Sequence, residues 1–241
     1  MWQGVRVLKR LSPLALLTVL ALAACAPPES TGTPSAGAPA GSEAPSSTTM
    51  ASPAALCEYL PDGEPSKPVD PPSTDDVETT GELTVTLEMT EGPVTITMDR
   101  ASTPCAVHSF ESLAAQDFYD GTSCHRLSDS GQLLMLQCGD PTGTGSGGPG
   151  YRFAEEVTGE ETYEAGTVAM AKAQAPATSG SQFFLVYDDS ALPPDYTVIG
   201  HMDEKSRAVV ARMSAEGQDG SYPDGTGKPN NPAEITDVTV G

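Results

Sequence analysis

Between residues 83 and 98 hydrophobic and polar positions take turns. Leu83, Val85, Leu87 and Met89 are separated by Thr84, Thr86 and Glu88. After Thr90-Glu91-Gly92-Pro93, Val94, Ile96 and Met98 are separated by Thr95 and Thr97. Two period-2 runs around a glycine-containing turn predict a β-hairpin. The period then changes. Ser102-Thr103-Pro104 reads as a helix start, with a hydroxyl cap and proline in the first turn. Val107, Phe110, Leu113 and Ala114 fall on one helical face as far as about Gln116. Later segments alternate less cleanly. Residues 133–137, 166–172 (GTVAMAK), 182–187 (QFFLVY), 196–201 (YTVIGH) and 234–240 (EITDVTV) read as short strands. Residues 203–217 read as a second amphipathic helix, with Asp203 as cap, Val209, Val210 and Met213 inward and Gly217 at the stop. Many short strands and two separated helices predict a mainly β fold: a closed or nearly closed antiparallel barrel with helices at its ends.

The pattern is absent from the first quarter of the chain. Arg6, Lys9 and Arg10 precede an apolar run over 11–24 that is too short to span a bilayer comfortably and reads as a signal-peptide core. It ends in Leu22-Ala23-Ala24-Cys25, which resembles the lipobox of bacterial lipoproteins, whose cysteine carries lipid. The expectation is a signal peptide over 1–24, lipidation of Cys25 and attachment to the bacterial cell membrane, with the rest outside the cytoplasm. From Ala26 to about Ser52 the chain is Pro, Ser, Thr, Ala and Gly with almost no bulky apolar residue, a composition that cannot bury a core and predicts a disordered tether. Residues 61–80, again rich in proline and acid, read as linker or as an extended strap along the domain. The expected organisation is 1–24 signal, 25–80 anchor and tether, 81–241 folded domain.

Twelve Lys and Arg stand against 33 Asp and Glu, a formal charge of −21. So acidic a chain is repelled by nucleic acid and by anionic lipid, so no nucleic-acid partner is expected. With Cys25 lipidated, Cys57, Cys105, Cys124 and Cys138 remain. An even count in an exported chain predicts disulfides, in one of three connectivities. A zinc site is the competitor, but no Cys-x-x-Cys or histidine has ligand spacing, and no metal or other cofactor is expected. No Ser-His-Asp arrangement or G-x-S-x-G is present either. The glycine-rich run LQCGDPTGTGSGGPGY (136–151) does fit G-x-G-x-x-G at Gly143, Gly145 and Gly148. A phosphate loop needs a helix to start there, however, and Pro149-Gly150 cannot continue one.

Several segments, in collinear order, resemble the cyclophilins. Tyr119-Asp-Gly-Thr-Ser-Cys-His-Arg126 is similar to their F/Y-x-G-x-x-F-H-R, and Leu134-Met-Leu-Gln-Cys-Gly-Asp140 to their F-M-x-Q-G-G-D. Gly145-Ser-Gly-Gly148 resembles their G-T-G-G loop. Val168-Ala-Met-Ala171 and Ser179-Gly-Ser-Gln-Phe-Phe184 resemble L-S-M-A-N and N-G-S-Q-F-F. The resemblance runs from about residue 80 to the C-terminus. It implies a closed eight-stranded antiparallel cyclophilin-like barrel capped by two α-helices, and peptidyl-prolyl cis-trans isomerisation of proline-containing segments in exported proteins by a monomer. By resemblance Arg126 is the catalytic donor and Gln137 binds the substrate backbone near the rotating carbonyl. Leu134, Met135, Phe184, Leu192 and Tyr196 belong to the proline pocket. Ala171, Lys172, Gln182, Gly145 and Gly147 belong to the adjoining groove. The alternative is a barrel that grips proline-containing peptides on the cell surface without useful catalysis.

The chain departs from the pattern in places. Eight residues separate Arg126 from Met135 where five are usual, so Leu134 stands for the pocket phenylalanine. Lys172 replaces asparagine, Ala191 a tryptophan linked to cyclosporin binding, and Tyr196 a histidine. The resemblance also places Cys124 and Cys138 on neighbouring antiparallel strands, which implies a Cys124–Cys138 bridge and leaves Cys57 to tie the N-terminal strap to Cys105.

Overall fold

The structure, a computed structural model, describes residues 57–241. The expected signal peptide over 1–24, the expected lipidation at Cys25 and the expected tether up to Ser52 lie outside the described residues. In chain order the elements are β1 (Leu60–Pro61), β2 (Glu82–Met89), β3 (Gly92–Asp99), α1 (Pro104–Ala115), β4 (Thr122–Ser123), β5 (Arg126–Ser130), β6 (Leu133–Cys138), β7 (Tyr151–Arg152), β8 (Thr167–Met170), β9 (Phe183–Val186), β10 (Val198–Met202), α2 (Glu204–Ser214) and β11 (Glu234–Val240).

The predicted hairpin is β2–β3, paired from Glu82↔Asp99 to Met89↔Gly92. Its apolar set is buried, from Leu83 to Met98. One antiparallel sheet of nine strands is ordered β4-β11-β2-β3-β10-β8-β9-β6-β5, and β1 with β7 makes a separate pair. The first and last strands of that order, β4 and β5, are consecutive in the chain. Across the two residues between them the pairing changes sides: Cys124 donates its N–H to Ala233 O and His125 to Gln137 O. The expectation of a mainly β, antiparallel, two-helix fold is therefore met by a curled sheet. The strand count differs from eight because residues 122–130 divide at Cys124-His125 into two strands with different partners.

The strands β6, β8 and β9 are buried on both faces, and their alternate residues serve two clusters. Leu136, Cys138, Val168, Met170, Phe183 and Leu185 join the main core, together with Val107, Phe110 and Leu113 of α1 and Val209, Val210 and Met213 of α2. Met135, Ala169, Phe184 and Val186 face the other way, into a second cluster completed by Tyr163. That second cluster becomes the floor of the candidate site.

Both helices form where the periodicity put them, with one correction to the caps. In α2, Asp203 accepts from Ser206 N at 2.7 Å, as expected. In α1, the cap residue Thr103 makes no side-chain cap bond; its hydroxyl donates to Val198 O instead. The carboxylate of Glu156 accepts from the first-turn N–H groups of Cys105 and Ala106, at 3.0 and 2.8 Å. A carboxylate suits the positive end of a helix, and this one arrives from about fifty residues away in sequence.

Residues 57–80 lie along the domain as a strap. Cys57 is bonded to Cys105, and Cys124 to Cys138. The Tyr59 hydroxyl donates to Cys105 O, and its ring meets Tyr151 and Phe153 edge-on. Lys67 Nζ donates to the carbonyls of Asp117 and Asp120. Of the two readings open for 61–80, the strap is the one realised.

Candidate active site

Arg126 and Gln137 are register partners on β5 and β6. Antiparallel pairing puts their side chains on one face, and Arg126 Nη1 donates to Gln137 Oε1 at 3.1 Å. Gln137 Nε2 in turn donates to Gln182 Oε1 at 2.9 Å. Gln182 Nε2 reaches the carbonyls of Gly145 and Gly147 at 3.0 and 2.9 Å. A chain of amides thus links the arginine on the sheet to the glycine-rich loop.

This chain of side chains lies between two cavities. The smaller, about 140 Å³, is lined by Arg126, Leu133, Met135, Gln137, Ala171, Lys172, Phe184, Leu192 and Tyr196. Its floor is the second cluster, where Phe184 packs edge-on to Tyr196 with ring centroids 5.6 Å apart. Lys172 Nζ sits 5.7 Å from the Tyr196 ring centroid, within cation–π range. The larger, about 390 Å³, shares Gln137, Ala171 and Lys172 with the first and extends between the glycine-rich loop and Gln182, with Asp62, Glu64 and Ser66 of the strap on its lining.

The structure therefore brings together Arg126, Gln137, Met135, Ala171, Lys172, Gln182, Phe184, Leu192, Tyr196, Gly145 and Gly147. Leu134 is the exception, and Leu133 lines the cavity in its place. The reason is the longer Arg126–Met135 interval, which is a hairpin closed by Ser130↔Leu133. Counting back from Met135 with period 2 puts Leu133 on the cavity face and Leu134 on the opposite one.

Sequence reasoning also missed what holds the glycine-rich loop. Asp140 is fully buried. Its carboxylate accepts from Thr142 N and Oγ1, both at 2.7 Å, from Thr144 N at 3.1 Å and from Gly145 N at 2.7 Å. Burial pushes its pKa up, but the hydrogen bonds from Thr142, Gly147 and Gly145 together outweigh burial and hold the carboxyl below its ordinary value. The glycines are required by close approach. A Cβ on Gly147 would lie 1.9 Å from Asp140 Oδ1. At Gly139, φ is +87° and a Cβ would lie 2.3 Å from Ser181 O. Gly139→Ala combines left-handed backbone strain with a backbone clash, and is expected to cost about 3 kcal/mol or more of stability. Urea unfolding with a midpoint unchanged from wild type would contradict this.

His125, next to the arginine, is buried with neither ring nitrogen hydrogen-bonded. Burial pulls its pKa below the usual value, Asp140 opposing to a smaller extent. Lowered in the folded state, it takes up its proton later than in the unfolded chain. Stability is therefore full above the ordinary histidine pKa of about 6.5 and falls as pH drops below it. Urea midpoints at pH 7.5 and pH 5.5 check this: wild type should lose more stability than His125→Gln, and an equal loss would contradict the assignment.

Among the described residues no three His, Cys, Asp or Glu are grouped as metal ligands are. The site offers instead a fixed cation, amide donors and acceptors, and a hollow with an apolar floor.

Comparison with known proteins gives a consistent result. The family described as cyclophilin type peptidyl-prolyl cis-trans isomerase/CLD matches residues 84–240. A probable peptidyl-prolyl cis-trans isomerase B of Mycobacterium tuberculosis is 40% identical over 200 residues, covering 77% of this chain and 64% of the relative. The chain thus spans less than two thirds of that relative's length. Peptidyl-prolyl cis-trans isomerase A of the same species is 34% identical over 175 residues, 65% of this chain and 91% of the relative. Among solved structures, a Cryptosporidium parvum cyclophilin type peptidyl-prolyl cis-trans isomerase determined in the presence of the dipeptide Ala-Pro matches with a TM-score of 0.55 and 28% identity, over 66% of this chain and 98% of that one.

Proposed function

The chain belongs to the cyclophilin-type peptidyl-prolyl cis-trans isomerase family, and from that premise we propose that it accelerates X-Pro isomerisation in proline-containing segments of exported proteins. The observation that carries the reading is the position of Arg126: hydrogen-bonded to Gln137, at the rim of a hollow with an apolar floor and a longer groove beside it.

Rotation about an amide crosses a barrier of roughly 18–20 kcal/mol because resonance must be broken. X-Pro bonds populate both isomers, so faster rotation has a use. The reaction needs no nucleophile. Proline sits on Met135, Phe184 and Leu192, with Leu133 and Tyr196 at its sides. In the twisted state the imide nitrogen turns pyramidal and gains a lone pair. The guanidinium of Arg126, permanently charged, donates to it and so favours the transition state over either ground state. Gln137 holds the substrate backbone near the rotating carbonyl. Ala171 uses its own N–H on Gln182 O, so its carbonyl is the group that an extended peptide meets. The peptide continues into the larger cavity, between Gln182, the carbonyls of Gly145 and Gly147, and the strap.

We also read the domain as held at the membrane by lipid on Cys25, facing outside the cytoplasm, and acting as a monomer. Two disulfides fit an oxidising compartment. The curled sheet is read as a closed barrel with residues 122–130 as its joint.

The test is refolding of a protein whose slow phase is proline isomerisation, a step of tens of seconds at 25 °C. Catalytic amounts of this chain should shorten that phase without changing the fast ones. A slow phase unaffected at equimolar chain would contradict the reading.

A further inference from the structure

We infer that Asp224 and Thr226 form a clamp that positions the Arg126 guanidinium for the reaction proposed above. The inference rests on that reading of Arg126.

The two residues lie 98 and 100 positions from Arg126 in sequence, yet both bond to its side chain. Arg126 Nε donates to Thr226 Oγ1 at 2.9 Å, and Nη2 to Asp224 Oδ2 at 2.9 Å. The clamp closes on itself, because Thr226 Oγ1 donates to Asp224 Oδ1 at 2.7 Å and Thr226 N to the same oxygen at 3.0 Å. With Nη1 on Gln137 Oε1 at 3.1 Å, every guanidinium nitrogen is held. Of its five N–H groups three are used, and one on each Nη is left for a substrate.

The loop that carries the clamp is built around this arginine. The Tyr222 hydroxyl donates to His125 O at 3.1 Å, the residue before it. Leu127, the residue after it, exchanges backbone bonds with Gly227 at 2.7 and 3.2 Å. Within the loop, Tyr222 N donates to Thr226 O and Gly225 N to Tyr222 O. The loop therefore grips the backbone on both sides of Arg126 and the side chain between. The arginine side chain is 29% exposed and that of Asp224 55%. At such exposure the ion pair by itself stabilises little. Its value is in geometry: an arginine otherwise free to rotate is held with its remaining donors in fixed directions, which is where preorganised catalysis gains. Asp224 and Thr226 are positioning residues and touch no substrate.

The experiment uses the full chain and four variants: Asp224→Ala, Asp224→Asn, Thr226→Val and Thr226→Ser. Two readouts are taken, kcat and KM on an Ala-Pro tetrapeptide, and the side-chain Nε–H NMR signal of Arg126. Asp224→Ala and Thr226→Val should each lower kcat about tenfold with KM within about twofold, and should broaden or shift the Nε–H signal. Thr226→Ser keeps the hydroxyl and should recover most of kcat, whereas Asp224→Asn keeps one acceptor oxygen where the carboxylate uses two and should fall between wild type and Asp224→Ala. Folding is checked by melting, and the two conservative variants keep the test informative where a truncation fails to fold. Wild-type kcat in both truncation variants would overturn the clamp. Absence of turnover in the wild type would instead remove the isomerase reading, and the clamp would then stand or fall on the NMR signal. A sharp, unshifted signal in both truncations would overturn it.

Discussion

Arg126→Ala is expected to lower kcat/KM about 10²–10³-fold, the usual effect of removing one preorganised charged donor from a transition state. The fold should survive. The arginine side chain is partly exposed and its ion pair with Asp224 is open to solvent, so the lost pair costs little stability. Peptide binding should also survive, since the floor of the hollow is Met135 and Phe184 of the second buried cluster, with Leu192 packed against it. A fall in kcat with KM nearly constant marks an interaction made only in the transition state. Arg126→Lys should sit between. It keeps the charge but not the planar fork that meets Gln137, Thr226 and Asp224 at once. Equal kcat/KM in wild type and Arg126→Ala, on a shared peptide, would contradict the assignment.

The largest effect on stability is expected at the strap. The Cys57–Cys105 bridge closes a loop with a sequence separation of 48, against 14 for Cys124–Cys138. Loop-closure entropy assigns about 4 kcal/mol to the first and about 3 kcal/mol to the second. Cys57→Ser with Cys105→Ser should therefore lower Tm by roughly 8–16 °C. The strap has other fastenings: the β1–β7 pair, Ser66 N on Gly148 O at 2.9 Å, and Lys67 on two carbonyls. These are partly exposed and should loosen first, which faster hydrogen exchange at Ser66 and Gly148 would reveal. Function follows, because Asp62, Glu64 and Ser66 line the larger cavity. KM for a long peptide should rise, while a short Ala-Pro peptide that fills only the small hollow should notice little. A Tm within a few degrees of wild type would refute the expectation.

How far the sequence could be read depended on which faces of a strand are buried. The β2–β3 hairpin shows because one face is in the core and the other wet, so its letters alternate. The strands β8 and β9 are buried throughout, and a strand serving two clusters has no polar beat to hear. Their existence was legible as short apolar runs, but not which face carried the pocket. The β5 strand, RLSDS, hides behind serines and an aspartate that look like loop. Leu134 adjoins Met135 on one strand and so faces the other way; the longer Arg126–Met135 interval hides that Leu133, two residues before Met135, is the one on the cavity face. Arg126 and Gln137 were legible as motif residues. The clamp on Arg126, and Glu156 at the start of α1, join positions too distant for any local pattern. Asp140 stood inside a recognised motif, but its role came only with its four hydrogen bonds.

The central claim, that this site turns X-Pro bonds by means of Arg126, is tested most directly by two-dimensional exchange NMR on a proline tetrapeptide with wild type and Arg126→Ala side by side. Accelerated cis–trans exchange in the wild type, lost in the variant while peptide shifts still report binding, is the result expected. Peptide binding without accelerated exchange in the wild type would contradict the account and leave a protein that holds proline segments without turning them.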